Sequence, residues 1–386
     1  YYGFLLSLAL GLTVMVTAND LLMMYLAIEM ASIVSYILTG FISHNPRSDE
    51  AGLKYVFYGG LASGIMIFGL SWLYGLTGTL NLIEIREFLM VSASDRLVLF
   101  ISFIFVLAGL GYKMAIAPFH MWSPDVYEGA PMPVTAFLSV ASKAAGFAVT
   151  LRFFMVGFVA IEGSQWVALK ALDWQTLVSA LAVITMFVGN LVALKQTNIK
   201  RFLAYSSVAH AGYLLMGVAA QSTRGIEAIL FYLVMYFLMN LGAFLVAILI
   251  NNQFETEEME DYKGLAKRGG FGFFLSFCLS IFLLSLAGIP PFAGFVGKWY
   301  IFGAAMEKGL YTLSIFGVIN SVISLFYYVR LMKYMMIDEP TGDKTLSPTH
   351  LRFASIIGSF AALTLVFGLY FAPIVDWVKA SHSFLY

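Results

Sequence analysis

Long apolar runs separated by short polar clusters make up almost the whole chain. A membrane-crossing helix needs about 20 predominantly apolar residues. On that rule the pattern divides into about eleven runs, near 1–17, 20–42, 51–76, 97–117, 132–160, 175–194, 202–220, 225–250, 270–303, 310–336 and 351–373. The polar breaks are brief, such as Asn19-Asp20 and Gln221 to Arg224, and the longest, Asn251 to Gly270, is acidic and then basic. No soluble domain fits between any two runs. The runs are too long for strands, and in lipid a helix satisfies all its backbone groups within itself. The pattern therefore predicts an all-α, polytopic transmembrane protein.

Two runs carry interruptions. The fourth ends Lys113-Met-Ala-Ile-Ala-Pro118-Phe119-His120-Met-Trp122, and the ninth contains Gly288-Ile-Pro290-Pro291-Phe292-Ala-Gly294-Phe-Val-Gly297-Lys298-Trp299. Proline removes a backbone donor and clashes with the preceding turn, so each helix is expected to break there. Runs one to five and six to ten then read as two repeats, 1–160 and 175–336, with a last helix and tail at 351–386. Both breaks fall in the fourth helix of a unit. Five helices is an odd number, so the second unit is expected to be inverted relative to the first. Paired interrupted helices in corresponding positions point to a transporter's ion path; the alternative is a kink that only shapes packing.

Composition agrees with lipid as part of the solvent. Apolar residues are 60% of the chain and charged residues 11%, against about 25% charged in soluble domains. A net charge of zero argues against nucleic acid, which requires a basic stripe. The single cysteine, Cys278, permits neither an iron–sulfur cluster nor a structural zinc site, nor an intrachain disulfide, and reads as a small core residue. Phosphate-loop, dinucleotide, zinc-protease and calcium-loop motifs are absent from the sequence. Gly60 and Gly64 fit a small-xxx-small helix contact. Loops after even-numbered runs hold Arg47, Lys195, Lys200, Arg201, Lys263, Lys267, Arg268 and Lys344, whereas the opposite side holds Arg86, Arg96, Lys170, Arg224 and Lys308. The positive-inside rule puts the first group in the cytoplasm and the C-terminal tail outside. The chain begins Tyr1-Tyr2-Gly3 with no Met or basic leader, as expected for a piece of a longer protein.

An ionisable side chain at mid-bilayer costs at least about 2.5–3.5 kcal/mol and marks function by default. Glu29 and Lys143 lie well inside their runs, His210 is central in the seventh, and Lys113 and Lys298 flank the two breaks. Lys54 opens the third run, where it either belongs to the same row or snorkels to the headgroups. Arg152 and Arg330 lie near run ends and read as snorkelling. Whether a buried amine keeps its proton depends on where the nearest carboxylate points. A row of amines bridged by His210 and water is thus a proton wire with a gate; an inert buried ion pair and a structural histidine are the alternatives. Sodium prefers oxygen ligands, as hard cations do, so an amine-rich row favours protons.

At these residues the chain resembles a known family. Leu53-Lys54-Tyr55, the run from Gly111 through Lys113, Pro118, His120, Trp122, Pro124, Asp125, Tyr127 and Glu128 to Pro131, and Ala204-Tyr205-Ser206-Ser207 with His210 resemble the antiporter-like membrane subunits of respiratory complex I. The resemblance extends over essentially the whole chain. Within the family it is most similar to subunit N of NADH-quinone oxidoreductase: subunit M typically has a glutamate where this chain has Lys298, and subunit L a histidine where it has Lys143. The resemblance implies fourteen helices in a full chain, three of them preceding this segment. It makes Glu29 the family's glutamate, Lys113 the lysine it pairs with, Lys143 the central relay lysine, Lys298 the terminal one, Lys54 a further lysine, and His210 a member of the polar axis, all in proton transfer. The implied activity is proton translocation by a non-redox subunit of a complex passing electrons from NADH to quinone. NADH, FMN, iron–sulfur clusters and quinone are expected on other subunits, with no cofactor or metal on this chain. The expected partners are other complex I membrane subunits and the lipid bilayer, with neither nucleic acid nor a soluble small molecule, in a bacterial inner membrane. The alternatives are a subunit of a Na⁺/H⁺ antiporter, a ferredoxin-linked relative of complex I, and a passive scaffold.

Overall fold

The computed structural model describes residues 1–42, 44–91, 95–162, 165–168, 172–340, 346 and 351–381. Lys170 and Lys344, two of the residues weighed for orientation, and the end of the tail at 382–386 lie outside the described residues. In chain order the helices are α1 (Tyr2–Thr17), α2 (Leu21–Thr39), α3 (Pro46–Thr77), α4 (Leu82–Val91), α5 (Arg96–Met114), α6 (Trp122–Gly129), α7 (Met132–Phe137) and α8 (Lys143–Gly157). After a strand pair follow α9 (Trp174–Ala193), α10 (Ile199–Ala219), α11 (Thr223–Phe254), α12 (Gly270–Ala287), α13 (Ala293–Glu307), α14 (Tyr311–Met336), α15 (Leu351–Leu369) and α16 (Ala372–Ser381). Among the described residues, ten helices, counting α7–α8 as one, are long and apolar enough to cross a membrane, and α1 is a shorter apolar helix of the same kind. The protein is a multi-pass helical membrane protein.

The polar breaks of the sequence are helix caps. Each helix leaves its first backbone N–H groups without internal partners, and a short polar side chain at the N-cap accepts from them. Asp20 accepts from the N–H of Leu22 and Met23, Asn45 from Arg47 and Ser48, Asp95 from Leu97 and Val98, Asn198 from Lys200 and Arg201, and Ser222 from Gly225. The same few residues therefore end one span and start the next.

Glycines set how closely the spans approach, though not those expected. Gly60 and Gly64 are exposed, and a Cβ at either would meet open space. On α3 it is Gly52 and Gly59 that face protein, the first against Gly40 and the second against the hydroxyls of Tyr36 and Tyr112. Helices α9 and α10 press together through Gly189 and Gly212: a Cβ on Gly189 would lie 2.4 Å from the backbone N of Ala209, and one on Gly212 2.5 Å from Met186 Cγ. Cys278 is a buried core residue, as its surroundings in sequence imply.

Several local features depart from the sequence pattern. A short antiparallel hairpin, β1 (Val159–Glu162) with β2 (Gln165–Ala168), lies between α8 and α9, where no strand was expected. It is too short to span and sits in a connection. Arg152 does not snorkel: it is buried and donates to Asn19 Oδ1. Arg330 turns inward and donates to the carbonyls of Leu194 (2.6 Å) and Gln196 (3.0 Å), closing the end of α9. Between α7 and α8 the chain makes one π-helical turn at Leu138–Ser142, directly before Lys143.

Helix α10 occupies the middle of the molecule. It packs against α9, α11 and α14, and also against α6 and α13, the two helices that follow the breaks. Its side chains are buried nearly throughout. This placement puts His210, on α10, between the two interrupted helices.

Candidate functional site

Helix α5 stops at Ala115, whose φ of 57° is left-handed, and the chain runs through Pro118 to restart at α6. Thr185 Oγ1 accepts from Ala117 N–H at 3.1 Å, and Trp122 Nε1 donates to the Tyr112 carbonyl at 2.9 Å. Those bonds satisfy groups that the break releases. Lys113 lies in the last turn of α5, is 3% exposed, and donates to Ser32 Oγ on α2 at 3.2 Å. Glu29 stands one turn before Ser32 on the same helix. Its carboxylate accepts from Ser63 Oγ at 2.5 Å, and Ser63 Oγ also lies 3.0 Å from the Tyr25 hydroxyl. The acid and the amine do not form a direct ion pair among the described residues; Glu29 bonds Ser63 and Lys113 bonds Ser32.

The second break repeats this logic. Helix α12 ends at Gly288, with φ of 83°, and α13 begins at Ala293. Lys298, in the second turn of α13 and 2% exposed, reaches back across the break to donate to the Ala287 carbonyl at 2.9 Å and to Ser321 Oγ on α14 at 3.1 Å. Its ammonium lies 4.4 Å from the centre of the Tyr213 ring. Each break thus places an amine at the C-terminal end of the half-helix before it, where unpaired carbonyls and the negative end of the helix dipole favour a cation.

Lys143, 3% exposed, opens α8 just after the π-turn and donates to the Ser207 carbonyl of α10. Its ammonium is 6.0 Å from the Tyr236 ring centre. Gly146, one turn along α8, lies against Lys113: a Cβ there would be 3.6 Å from Lys113 Cγ. The π-turn presents Ser139, whose hydroxyl accepts from Asn240 Nδ2 at 2.8 Å. π-Turns of this kind frequently mark functional positions. Around Lys143, Ser142 Oγ, Ser207 Oγ, the Tyr236 hydroxyl and Asn240 Oδ1 are buried with no protein partner. Clusters of buried polar atoms like this are where proteins hold internal water.

One turn beyond Ser207 on α10 comes His210, 1% exposed. Its Nδ1 lies 2.5 Å from the hydroxyl of Tyr232 on α11, and its Nε2 3.2 Å from that of Tyr328 on α14. The Tyr328 hydroxyl is also 2.5 Å from Ser206 Oγ. Tyr213, one turn further along α10, is the ring beneath Lys298.

Five of the six sequence candidates therefore lie in one row: Lys113 bonds Ser32, one turn from Glu29; Gly146, one turn from Lys143, lies against Lys113; Lys143 bonds Ser207, one turn before His210; and Tyr213, one turn after His210, lies beneath Lys298. Lys54 is not in that row. Its side chain is 38% exposed and pairs with Glu50 and Asp125, each at 2.7 Å. With Arg47, Glu128 and Arg201 these residues line a surface cleft of about 230 Å³, where Arg201 Nη1 meets Asp125 at 2.6 Å and Glu128 at 2.7 Å. Lys54 lies in the third turn of α3, where it reaches the charged cleft and not the row. The bridging residues Ser32, Tyr213, Tyr232, Tyr236, Asn240, Ser321 and Tyr328 were not singled out in the sequence. Their signal is faint, a hydroxyl or amide recurring at three-, four- or seven-residue spacing in otherwise apolar helices.

Comparison with known proteins identifies the family of the chain. Residues 18–324 match the family described as "NADH:quinone oxidoreductase/Mrp antiporter, TM". NADH-quinone oxidoreductase subunit N 2 of Chloroherpeton thalassium is 48% identical, over 97% of this chain and 73% of that protein. Subunit N of an Anaeromyxobacter species is 45% identical, over 99% of this chain and 77% of that protein. Among solved structures, a chain of respiratory complex I from Thermus thermophilus superposes with a TM-score of 0.80 at 29% identity, covering 97% of this chain and 79% of that one. A chain of the Mrp complex from a Dietzia species shares the fold, with a TM-score of 0.85 at 22% identity, over 100% of this chain and 78% of that one. The chain belongs to the family of transmembrane subunits shared by NADH:quinone oxidoreductases and Mrp antiporters.

Proposed function

We propose that this chain is the N-type membrane subunit of a bacterial NADH-quinone oxidoreductase and translocates protons along the row of Glu29, Lys113, Lys143, His210 and Lys298. The observation that carries the proposal is the burial of Lys113, Lys143, His210 and Lys298 in one helix bundle, with an amine at each helix break and Lys143 bonded to the helix that carries His210. Five-helix units at 1–160 and 175–336, the second inverted and a last helix following, would place the two breaks symmetrically. The side bearing Arg47, Lys200 and Arg201 would face the cytoplasm, in the inner membrane, with neighbouring membrane subunits of the same complex as partners.

The chemistry follows from charge in a low-dielectric interior. Glu29 and the Ser32 that Lys113 bonds lie one turn apart on α2, so a small displacement of α2 changes how strongly the carboxylate holds the ammonium. An ammonium left without its carboxylate repels a proton on Lys143, while a paired one does so less. Redox chemistry on other subunits would bias that first pair, and the proton would pass from Lys143 past His210 to Lys298. This chain would bind neither NADH, FMN, an iron–sulfur cluster nor quinone. Lys54 belongs, on this proposal, to the charged cleft and not to the transfer row.

The test is proton pumping by the assembled complex in proteoliposomes, measured per NADH oxidised. Lys113→Ala and Glu29→Ala should each greatly reduce it. Unchanged pumping in both would overturn the proposal in favour of a scaffold, and a sodium requirement would move the chain to the antiporter branch.

A further inference from the structure

Helix α6, which restarts the chain after the first break, is seated along α3. Trp122, Asp125 and Gly129 recur at three- and four-residue spacing and so share one face of α6. The Trp122 ring stacks on that of Tyr55, with centres 4.5 Å apart and 12° between planes. Lys54 Nζ lies 2.7 Å from Asp125 Oδ2, and a Cβ on Gly129 would lie 2.3 Å from the Arg47 carbonyl oxygen. From this seating we infer that Lys54 and Asp125 are positioning residues for Lys113: their ion pair sets where α6 lies, and Trp122 transmits that placement to the peptide unit leading into Lys113. The inference rests on the proposed transport function and adds to it two residues outside the row.

The linkage is short. The indole of Trp122 donates to the Tyr112 carbonyl at 2.9 Å, and that carbonyl belongs to the peptide bond joining Tyr112 to Lys113. Helix α5 ends at Met114, and the carbonyls of a last turn have no helical partner of their own, so the indole is what anchors this peptide from outside. The Tyr112 hydroxyl turns back to donate to the Tyr55 carbonyl at 3.1 Å. On its other side the Tyr55 ring packs edge-on against Tyr36, with centres 4.8 Å apart, and Tyr36 lies one turn beyond Ser32 on α2. Both partners of the Lys113–Ser32 bond are thus held against Tyr55, the residue next to Lys54.

The two halves of this seating do different work. Tyr55 and Trp122 are buried, 1% and 4% exposed, so their stacking supplies the stability of the α3–α6 contact. The Lys54–Asp125 pair is partly exposed, and pairs of that kind add little to stability. What it adds is register. The Asp125 carboxylate uses one oxygen for Lys54 on α3 and the other for Arg201 on α10, at 2.7 and 2.6 Å, which fixes α6 between two helices. Stacked rings slide at small cost, whereas a carboxylate bonded on both sides does not. Without Lys54, α6 keeps its fold and its stacking but loses the contact that sets its place along α3.

Lys54→Met removes the ammonium, and Lys54→Arg keeps a donor for Asp125. Glu50→Gln is the control, because Glu50 pairs with Lys54 at 2.7 Å within α3 and that pair crosses no helix boundary. In assembled complex in proteoliposomes, Lys54→Met should slow proton pumping per complex about tenfold, within the roughly hundredfold that a misplacement of about 1 Å costs, with the amount of assembled complex unchanged. Lys54→Arg should restore pumping, and Glu50→Gln should match the unaltered protein. Trp122→Phe, which lacks the indole N–H, should also slow pumping, and combining it with Lys54→Met should be no slower than the slower single variant, since both break one linkage. Normal pumping by Lys54→Met, losses that multiply in the double variant, or a loss matched by an equal fall in assembled complex overturns the positioning role. If Lys113→Ala still abolishes pumping in that case, the transport function stands and only this linkage fails.

Discussion

Gly288→Ala tests the link between a helix break and the amine that it positions. Gly288 has φ of 83°, and an alanine Cβ there would lie 2.7 Å from Lys298 Cδ and 3.3 Å from its Nζ. A side chain in left-handed backbone costs about 1 kcal/mol. Lys298 must also swing away, giving up its bonds to the Ala287 carbonyl (2.9 Å) and Ser321 (3.1 Å). Hydrogen bonds from a charged donor contribute about 2 kcal/mol each, so losing both on top of the backbone cost comes to roughly 5 kcal/mol. In a Lys298→Ala background the facing side chain and its two bonds are already gone, and Gly288→Ala should cost only the backbone part, about 1 kcal/mol. A double-mutant cycle therefore predicts a coupling of about 4 kcal/mol, read from denaturing-detergent titration of the purified complex. Gly288→Ala alone should also lower proton pumping in proteoliposomes. Equal costs in the two backgrounds would refute the reasoning, because the glycine would then serve only its own turn and not the lysine.

Two further substitutions test the frame around the row. Gly189→Val, which drives a side chain into the Ala209 backbone, should cost about 3 kcal/mol as an overpacked contact and reduce the amount of subunit recovered in assembled complex, whereas Gly64→Val, facing open space, should not. Arg201→Gln leaves Asp125 and Glu128 without their shared partner and should lower stability by about 1 kcal/mol; the loss should shrink at high ionic strength in parallel thermal-inactivation measurements. A loss independent of salt would mean that Arg201 acts through packing.

Hydropathy alone determined the spans, because lipid admits only helices that satisfy their own backbone, and polar residues such as Asp20, Asn45 and Asn198 sit where those helices must be capped. Proline marked both interruptions for the same local reason. The rare charges in apolar runs named Glu29, Lys113, Lys143, His210 and Lys298, since each is costly where it stands. Tertiary structure decided which of these face one another. Lys54 shares their chemistry but, in the third turn of α3, meets Asp125 at the surface, and Arg152 turns inward because Asn19, in the turn between α1 and α2, lies there. Gly60 and Gly64 have the spacing of a contact yet face outward, while Gly189 and Gly212 make the close approach; helix rotation about its axis chooses between them. The π-turn before Lys143 and the phenols on His210 belong to residues that an apolar pattern treats as ordinary. Their roles arise only when α10, α11 and α14 are packed together, because a hydrogen bond between helices depends on distances that spacing along one helix does not contain.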